Sequence, residues 1–177
     1  MATKNNRAYY TITLVVSFAL ILWYISYPAS TLKHEANPLL VYASQIFAVV
    51  GFSLFSLSFV FATRFKLLEN FFGGLDKVYH LHHSIGKTAF FTLLIHPVLL
   101  ALRWLPEDFE KLFTYLLPLH RKLEINFGSW SLLGLIVLIL LSLVIKIPYD
   151  KWKITHKFMG LFYILGVLHV FTLENFI

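Results

Sequence analysis

The side chains of this chain that are best suited to chemistry are two pairs of histidines. In each pair a histidine is followed four residues later by a glycine and 13 or 14 residues later by a second histidine. The two frames are His82, Gly86 and His96, and His156, Gly160 and His169. Both lie in apolar segments, where burial favours the neutral imidazole that binds iron. Four such imidazoles on two helices predict a stack of two haems that carries electrons.

The spacing along a helix supports this interpretation. At about 1.5 Å per residue, His82 and His96 lie about 21 Å apart, and His156 and His169 lie about 19.5 Å apart. In a hydrocarbon core about 30 Å thick, each frame puts one histidine near each face. Because both segments start on the same side, we expect His82 to pair with His156 and His96 with His169. Imidazole on both axial positions leaves no open iron position, so each site is expected to relay electrons.

The angles around a helix separate the two frames. At about 100° per residue, a 14-residue step ends about 40° short of whole turns, whereas a 13-residue step ends about 140° off. The first frame therefore shares one helix face and the second does not. We expect a π-bulge at Gly160 or Gly166, or a strong tilt of the helix, to bring His169 round.

The other histidines leave alternatives open. His83 also lies 13 residues before His96, so the choice of His82 rests on its four-residue offset to glycine. We expect His80 and His83 to be interfacial, with a divalent-metal site at His80, His82 and His83 as a minor alternative. His34 and His120 are expected at the surface.

Composition identifies the class of protein. Of the 177 residues, 58% are hydrophobic, 18% aromatic and only 14% charged, which indicates an integral membrane protein. The chain has no cysteine, which excludes disulfides, thiolate metal sites, iron–sulfur clusters and covalently attached haem. The net charge of +6 comes from basic residues that flank apolar stretches, so we expect no nucleic-acid binding.

The fold expected is an all-α helical bundle with five membrane spans. They are placed at 9–27, 39–62, 82–102, 127–147 and 154–173. With a cytoplasmic amino terminus, the inner segments hold ten lysines and arginines and the outer segments five, which favours that orientation.

The outer connection between spans 3 and 4, from Pro106 to His120, is too polar to span. Its apolar residues recur on one helix face, at Phe109, Leu112, Phe113, Leu116 and Leu117. The pattern predicts a short amphipathic helix on the outer membrane face, with a plain surface connection as the alternative.

Several motifs together resemble a known family, the transmembrane domain of ferric reductases and NADPH oxidases. They are Gly73-Gly74-Leu75-Asp76, Tyr79, Leu81-His82, Gly86, His96-Pro97, Tyr149, Trp152, His156, Gly160 and His169. The resemblance covers residues 64–171 well and implies a six-helix bundle. It also implies that the third and fifth helices bind two b-type haems through His82, His96, His156 and His169. Electrons would pass from cytosolic NAD(P)H, through FAD on a dehydrogenase domain, to an acceptor outside.

The chain departs from that family in two ways. It stops at Ile177, so the sixth helix and the FAD and NAD(P)H domain are expected in a longer protein or on a partner subunit. Nothing in the residues distinguishes oxygen from ferric iron as the acceptor. The expected location is a plasma or bacterial inner membrane, with lipid as the surrounding partner.

The sequence leaves two other functions open. One is a haem-bearing membrane subunit that exchanges electrons with quinol and a soluble partner. The other is a metal or proton transporter that uses the histidines as a relay. A transporter does not explain two parallel histidine frames with matching glycines.

Overall fold

In the computed structural model of the chain, residues 3–26, 37–105, 108–145 and 147–174 are described, and these ranges contain helices and no strand. The helices are α1 (Thr3–Ser26), α2 (Pro38–Ala62), α3 (Lys66–Phe72), α4 (Leu75–Leu102), α5 (Phe109–Leu116), α6 (Leu123–Leu143), α7 (Tyr149–Lys157) and α8 (Met159–Glu174). Five segments are long and apolar enough to cross a membrane: Asn6–Ser26, Pro38–Ala62, Leu75–Leu102, Leu123–Leu143 and Tyr149–Leu173. The prediction of an all-α integral membrane protein is confirmed.

The third span begins earlier than the sequence predicted. Helix α4 starts at Leu75 rather than at His82, because the chain reverses at Gly73 and Gly74, whose φ angles are 94° and 127°. Both angles favour glycine, since a Cβ would be strained there. His82 consequently lies about two turns inside α4, with regular helix on both sides. The fifth span likewise starts at Tyr149, after Pro148, instead of at residue 154.

The chain forms two compact units, the first ending at Arg103. Within this unit, α4 packs most extensively on α2. Small residues allow the close approach: Ala89 is fully buried, and a Cβ on Gly51 would lie 2.8 Å from Leu93 Cγ. Helix α1 joins α2 through Trp23, whose indole N–H donates to Gln45 Oε1 at 3.2 Å.

Helix α3 was not predicted from the sequence. It is a seven-residue helix between the second and third spans. Its Phe72 is buried, with its ring centroid 5.1 Å from that of Phe61. Arg7 of α1 donates to the Phe71 carbonyl at 3.3 Å. The sequence gives little warning of α3, because seven residues are too few to show a helical period.

The second unit begins at Trp104, and its main packing is between α6 and α8. Ser131 Oγ donates to the Phe162 carbonyl at 2.6 Å across this pair of helices. Gly134 lies against the Phe162 ring, which occupies the space a Cβ would fill. The Ser131 hydrogen bond thus joins the two helices, and the absence of a side chain on Gly134 allows them to approach closely.

The predicted short amphipathic helix is confirmed as α5. Asp108 caps its first turn by accepting a hydrogen bond from the Lys111 backbone N–H at 3.0 Å. The helix ends at Leu116, one residue before Leu117 turns to an extended conformation ahead of Pro118. Pro106, the first residue of the connection between spans 3 and 4, lies outside the described residues. The position of α5 on the outer membrane face stays a prediction.

Candidate functional site

His96 is held against α2 by a reciprocal set of hydrogen bonds to one residue. Its Nδ1 lies 3.0 Å from the Ser44 carbonyl oxygen and 2.8 Å from Ser44 Oγ. In return, Ser44 Oγ donates to the His96 carbonyl at 2.9 Å. A carbonyl oxygen only accepts, so Nδ1 must carry the proton. The neutral ring then has its lone pair on Nε2, a nitrogen that binds metal ions.

His82 makes the corresponding contact with Ser58, which lies 14 residues after Ser44 on α2. Its Nδ1 lies 2.8 Å from the Ser58 carbonyl oxygen, which fixes the same tautomer. The Ser58 hydroxyl takes no part, since it donates to the Phe55 carbonyl of its own helix at 2.8 Å. His83, the alternative ligand, has an exposed side chain.

The two contacts are related by a shared spacing on antiparallel helices. Ser44 and Ser58 are separated by 14 residues, as are their partners His96 and His82. A small residue stands halfway on each helix, giving Ser44, Gly51 and Ser58 on α2, and His82, Ala89 and His96 on α4. Seven residues make nearly two turns, so each trio lies along one face. This confirms that the first frame shares one face. The small residues at seven-residue intervals on α2 are visible in the sequence, but they were not part of the prediction above.

His169, in the second unit, is positioned by α6. Its Nδ1 lies 2.6 Å from the Glu124 carbonyl oxygen, so this imidazole also has its proton on Nδ1. A Cβ added to Gly128 would lie 2.9 Å from both Cε1 and Nδ1 of His169. The ring therefore lies over a bare stretch of helix backbone. A backbone acceptor leaves no mark in the sequence, because every residue has a carbonyl.

His156 lies near the end of α7 in an aromatic stack. Its ring centroid is 4.9 Å from that of Trp152, at an interplanar angle of 25°. Trp152 in turn stacks on Tyr149 at 5.6 Å. The side chain is half-buried. Indole stacking limits the rotation of the imidazole, as hydrogen bonding does for the other three histidines.

The helical break between His156 and His169 is of a different kind from the one predicted. Residues 159–174 form regular α-helix without a π-bulge at Gly160 or Gly166, so that prediction is wrong. Instead, the chain tightens at Phe158, whose N–H donates to the Thr155 carbonyl at 3.0 Å. This is a bond of the 3₁₀ type, which turns the chain by about 120° per residue instead of about 100°.

Both glycines of the repeated motif border open space. A Cβ on Gly86 or Gly160 would have no protein atom within 4 Å, apart from its own helix and chain neighbours. Each glycine follows a predicted ligand by four residues, about one turn further along the chain. The absence of a side chain at these two positions would let a flat group approach the helix backbone.

The minor alternative of a divalent-metal site at His80, His82 and His83 is wrong. The described part of the chain contains no group of three metal-ligating side chains. The reason is geometric, since successive helical residues point about 100° apart and His82 is turned into α2. His80 and His83 are both exposed, as expected. His34 lies outside the described residues.

His120 shows a different pattern of bonds from the four predicted ligands. Its Nδ1 accepts from the Lys122 backbone N–H at 3.0 Å, so its proton lies on Nε2. Asn126 brackets the same residue by accepting from its N–H at 2.9 Å and donating to its carbonyl at 2.8 Å. Partial burial and the charge of Lys122 lower the pKa of His120. The side chain thus serves as a turn element before α6.

Comparison with known proteins decides the family. A family model described as ferric reductase like transmembrane component matches residues 47–167, more than half of the chain. The chain belongs to this family. A search of curated proteins finds no match. Membership in the ferric reductase like family makes the chain a transmembrane component of oxidoreductase type, as the sequence resemblance implied.

The matched range of this ferric reductase like component includes three of the four predicted ligands, His82, His96 and His156, and ends two residues before His169. Members of the family generally bind haem. The donor set fits that group, because His82, His96 and His169 each have Nδ1–H bonded to a backbone carbonyl, which places the lone pair of the neutral ring on Nε2, a nitrogen that binds iron. A Cβ added at Gly86 or Gly160 would meet nothing within 4 Å apart from its own helix backbone and chain neighbours, so no protein atom there obstructs a planar macrocycle.

Proposed function

We propose that the chain carries electrons across a membrane through two b-type haems. His82 and His156 bind one iron, and His96 and His169 bind the other. The assignment of these pairs rests on the order of the histidines along the third and fifth spans and on the family resemblance. Each iron then has two imidazole ligands and no position for a substrate, which suits a relay.

The observation that carries this proposal is the set of three bonds from imidazole Nδ1 to backbone carbonyls. His82 bonds to Ser58, His96 to Ser44 and His169 to Glu124, at 2.8, 3.0 and 2.6 Å. A histidine in a proton relay has to exchange its proton between both nitrogens. These three have Nδ1–H directed at an acceptor that cannot return a proton, which favours a fixed metal ligand over a relay.

The protein's own contribution is to orient and surround the ligands. Helix α2 aligns two imidazoles along one face of α4, and α6 aligns a third on α8. Haem, when bound, supplies an iron that gains and loses single electrons. The apolar helices exclude water, and together with the axial ligands and their hydrogen bonds they set the reduction potentials.

We further propose the ends of the pathway. Electrons come from cytosolic NAD(P)H through FAD on a dehydrogenase domain or partner subunit, and pass to ferric iron or oxygen on the other side. The amino terminus is cytoplasmic in this proposal, because more lysines and arginines then lie inside. The membrane is a plasma or bacterial inner membrane.

The test is a reduced-minus-oxidised visible spectrum of the purified chain, with pyridine haemochrome quantification. Sharp b-type bands at about two haems per chain, unchanged by carbon monoxide, are expected for two irons with both axial positions filled. A folded, colourless protein that takes up no haem would contradict the proposal and favour the histidine-relay transporter. Carbon monoxide binding to one haem would mean an open iron position.

A further inference from the structure

Ser44 bonds His96 through its side chain as well as through its backbone. Ser44 is fully buried, with no exposed surface. The hydroxyl lies 2.8 Å from His96 Nδ1 and donates to the His96 carbonyl at 2.9 Å. The family match begins at residue 47, so Ser44 lies outside the range that the match covers.

The proton positions in this cluster can be worked out. The Ser44 carbonyl only accepts, so the His96 Nδ1–H is shared between that oxygen and Ser44 Oγ. Oγ accepts there and uses its own hydrogen for the His96 carbonyl. Every donor in this set of three bonds has an acceptor. His96 Nδ1–H therefore has two acceptors on Ser44.

We propose that Ser44 is a positioning residue that orients His96 and lowers the reduction potential of the haem bound there relative to the same site without the hydroxyl. This inference rests on the proposed function. A second acceptor on Nδ1–H increases the electron density of the imidazole and makes it a stronger ligand for ferric iron. Hydrogen bonding around the ligand is one of the means by which a protein sets a haem potential.

The experiment is a redox titration of the full haem-loaded chain, comparing wild type with Ser44→Ala. The midpoint that is missing in His96→Ala identifies the haem of His96. In Ser44→Ala we expect that midpoint to rise and its low-spin electron paramagnetic resonance signal to shift or broaden, because the ring gains freedom to rotate. The other haem should keep its midpoint and its signal.

Ser142→Ala is the control. It removes a serine hydroxyl that donates to the Leu138 carbonyl of its own helix at 2.8 Å and not to a histidine. Both midpoints should stay at wild-type values in this variant. If Ser44→Ala does not fold, Ser44→Cys retains a group of similar size with weaker hydrogen bonding, and should raise the same midpoint by a smaller amount.

The possible results separate this inference from the proposed function. An unchanged His96 midpoint in folded Ser44 variants, or equal shifts of both midpoints, overturns the role of Ser44 while two haems remain bound. A wild-type chain that binds no haem overturns the proposed function itself. A selective rise at His96, absent from Ser142→Ala, supports the inference.

Discussion

The imidazole of His169 lies directly on the backbone of Gly128. A Cβ at residue 128 would be 2.9 Å from Cε1 and Nδ1 of the ring, closer than carbon and nitrogen atoms approach without displacement. The same ring donates to the Glu124 carbonyl one turn earlier on α6. The position of this proposed ligand therefore depends on the absence of a side chain on the neighbouring helix.

Replacing Gly128 with alanine should displace His169 and weaken its haem selectively. Loss of a supporting contact to a metal-bound histidine typically costs about 10- to 100-fold in affinity. Haem retention during dilution, followed by visible spectroscopy, measures the effect. Ser129→Ala, which removes a hydroxyl bonded within α6 at Ile125, is the control and should retain both haems. Equal retention in the two variants would show that His169 does not need this space.

Gly86→Ala should have opposite effects on the empty and the loaded chain. Alanine in a helix is favoured over glycine by about 1 kcal/mol, and no other part of the protein lies within 4 Å of the new Cβ. The haem-free protein should therefore gain thermal stability. If a porphyrin packs against the glycine, the loaded protein should lose haem more readily. Equal stabilisation of both forms would contradict that packing.

The first turn of α5 should depend on pH through Asp108. The Lys111 backbone N–H lowers the pKa of this carboxyl below its ordinary value, with a further contribution from the Lys111 ammonium group. An acid whose pKa is lower in the folded chain stabilises it at pH above the unfolded pKa. That stabilisation is lost as the pH falls through the folded value.

Hydrogen exchange of the Lys111 amide measures this capping interaction. Exchange should be faster in Asp108→Ala than in wild type at neutral pH, after correction for the intrinsic rate. Asp108→Asn is the matched control, because asparagine also accepts a capping hydrogen bond and should keep most of the protection without its dependence on pH. Wild-type protection that stays constant down to strongly acidic pH would contradict the role of the carboxylate.

The sequence predicted the spans well because a span is a pattern along one helix. The stretches of apolar residues locate the helices, and the motif shared by His82 and His156 marks two of them as related. The span boundaries were less accurate. Helix α4 begins at Leu75 because of the glycine reversal before it, and hydropathy alone does not register a polar first turn such as that of Asp76 to His80.

The partners of the histidines were not predictable in the same way. The contact of His169 with Glu124 is made by a backbone carbonyl, which any residue at that position provides. The contact of His96 with Ser44 requires the register between α2 and α4, which the individual helices do not specify. The tightening at Phe158 depends on backbone bonds that no residue type in that segment predicts.

The most direct test of the central claim is to quantify haem in four single variants, His82→Ala, His96→Ala, His156→Ala and His169→Ala. Redox titration and electron paramagnetic resonance then show which haem each variant has lost. Two separate haem sites predict two matched pairs: His82→Ala and His156→Ala lose one haem, and His96→Ala and His169→Ala lose the other. A folded variant that retains both haems, or four variants that all lose both signals equally, would contradict two separate sites with two histidines each.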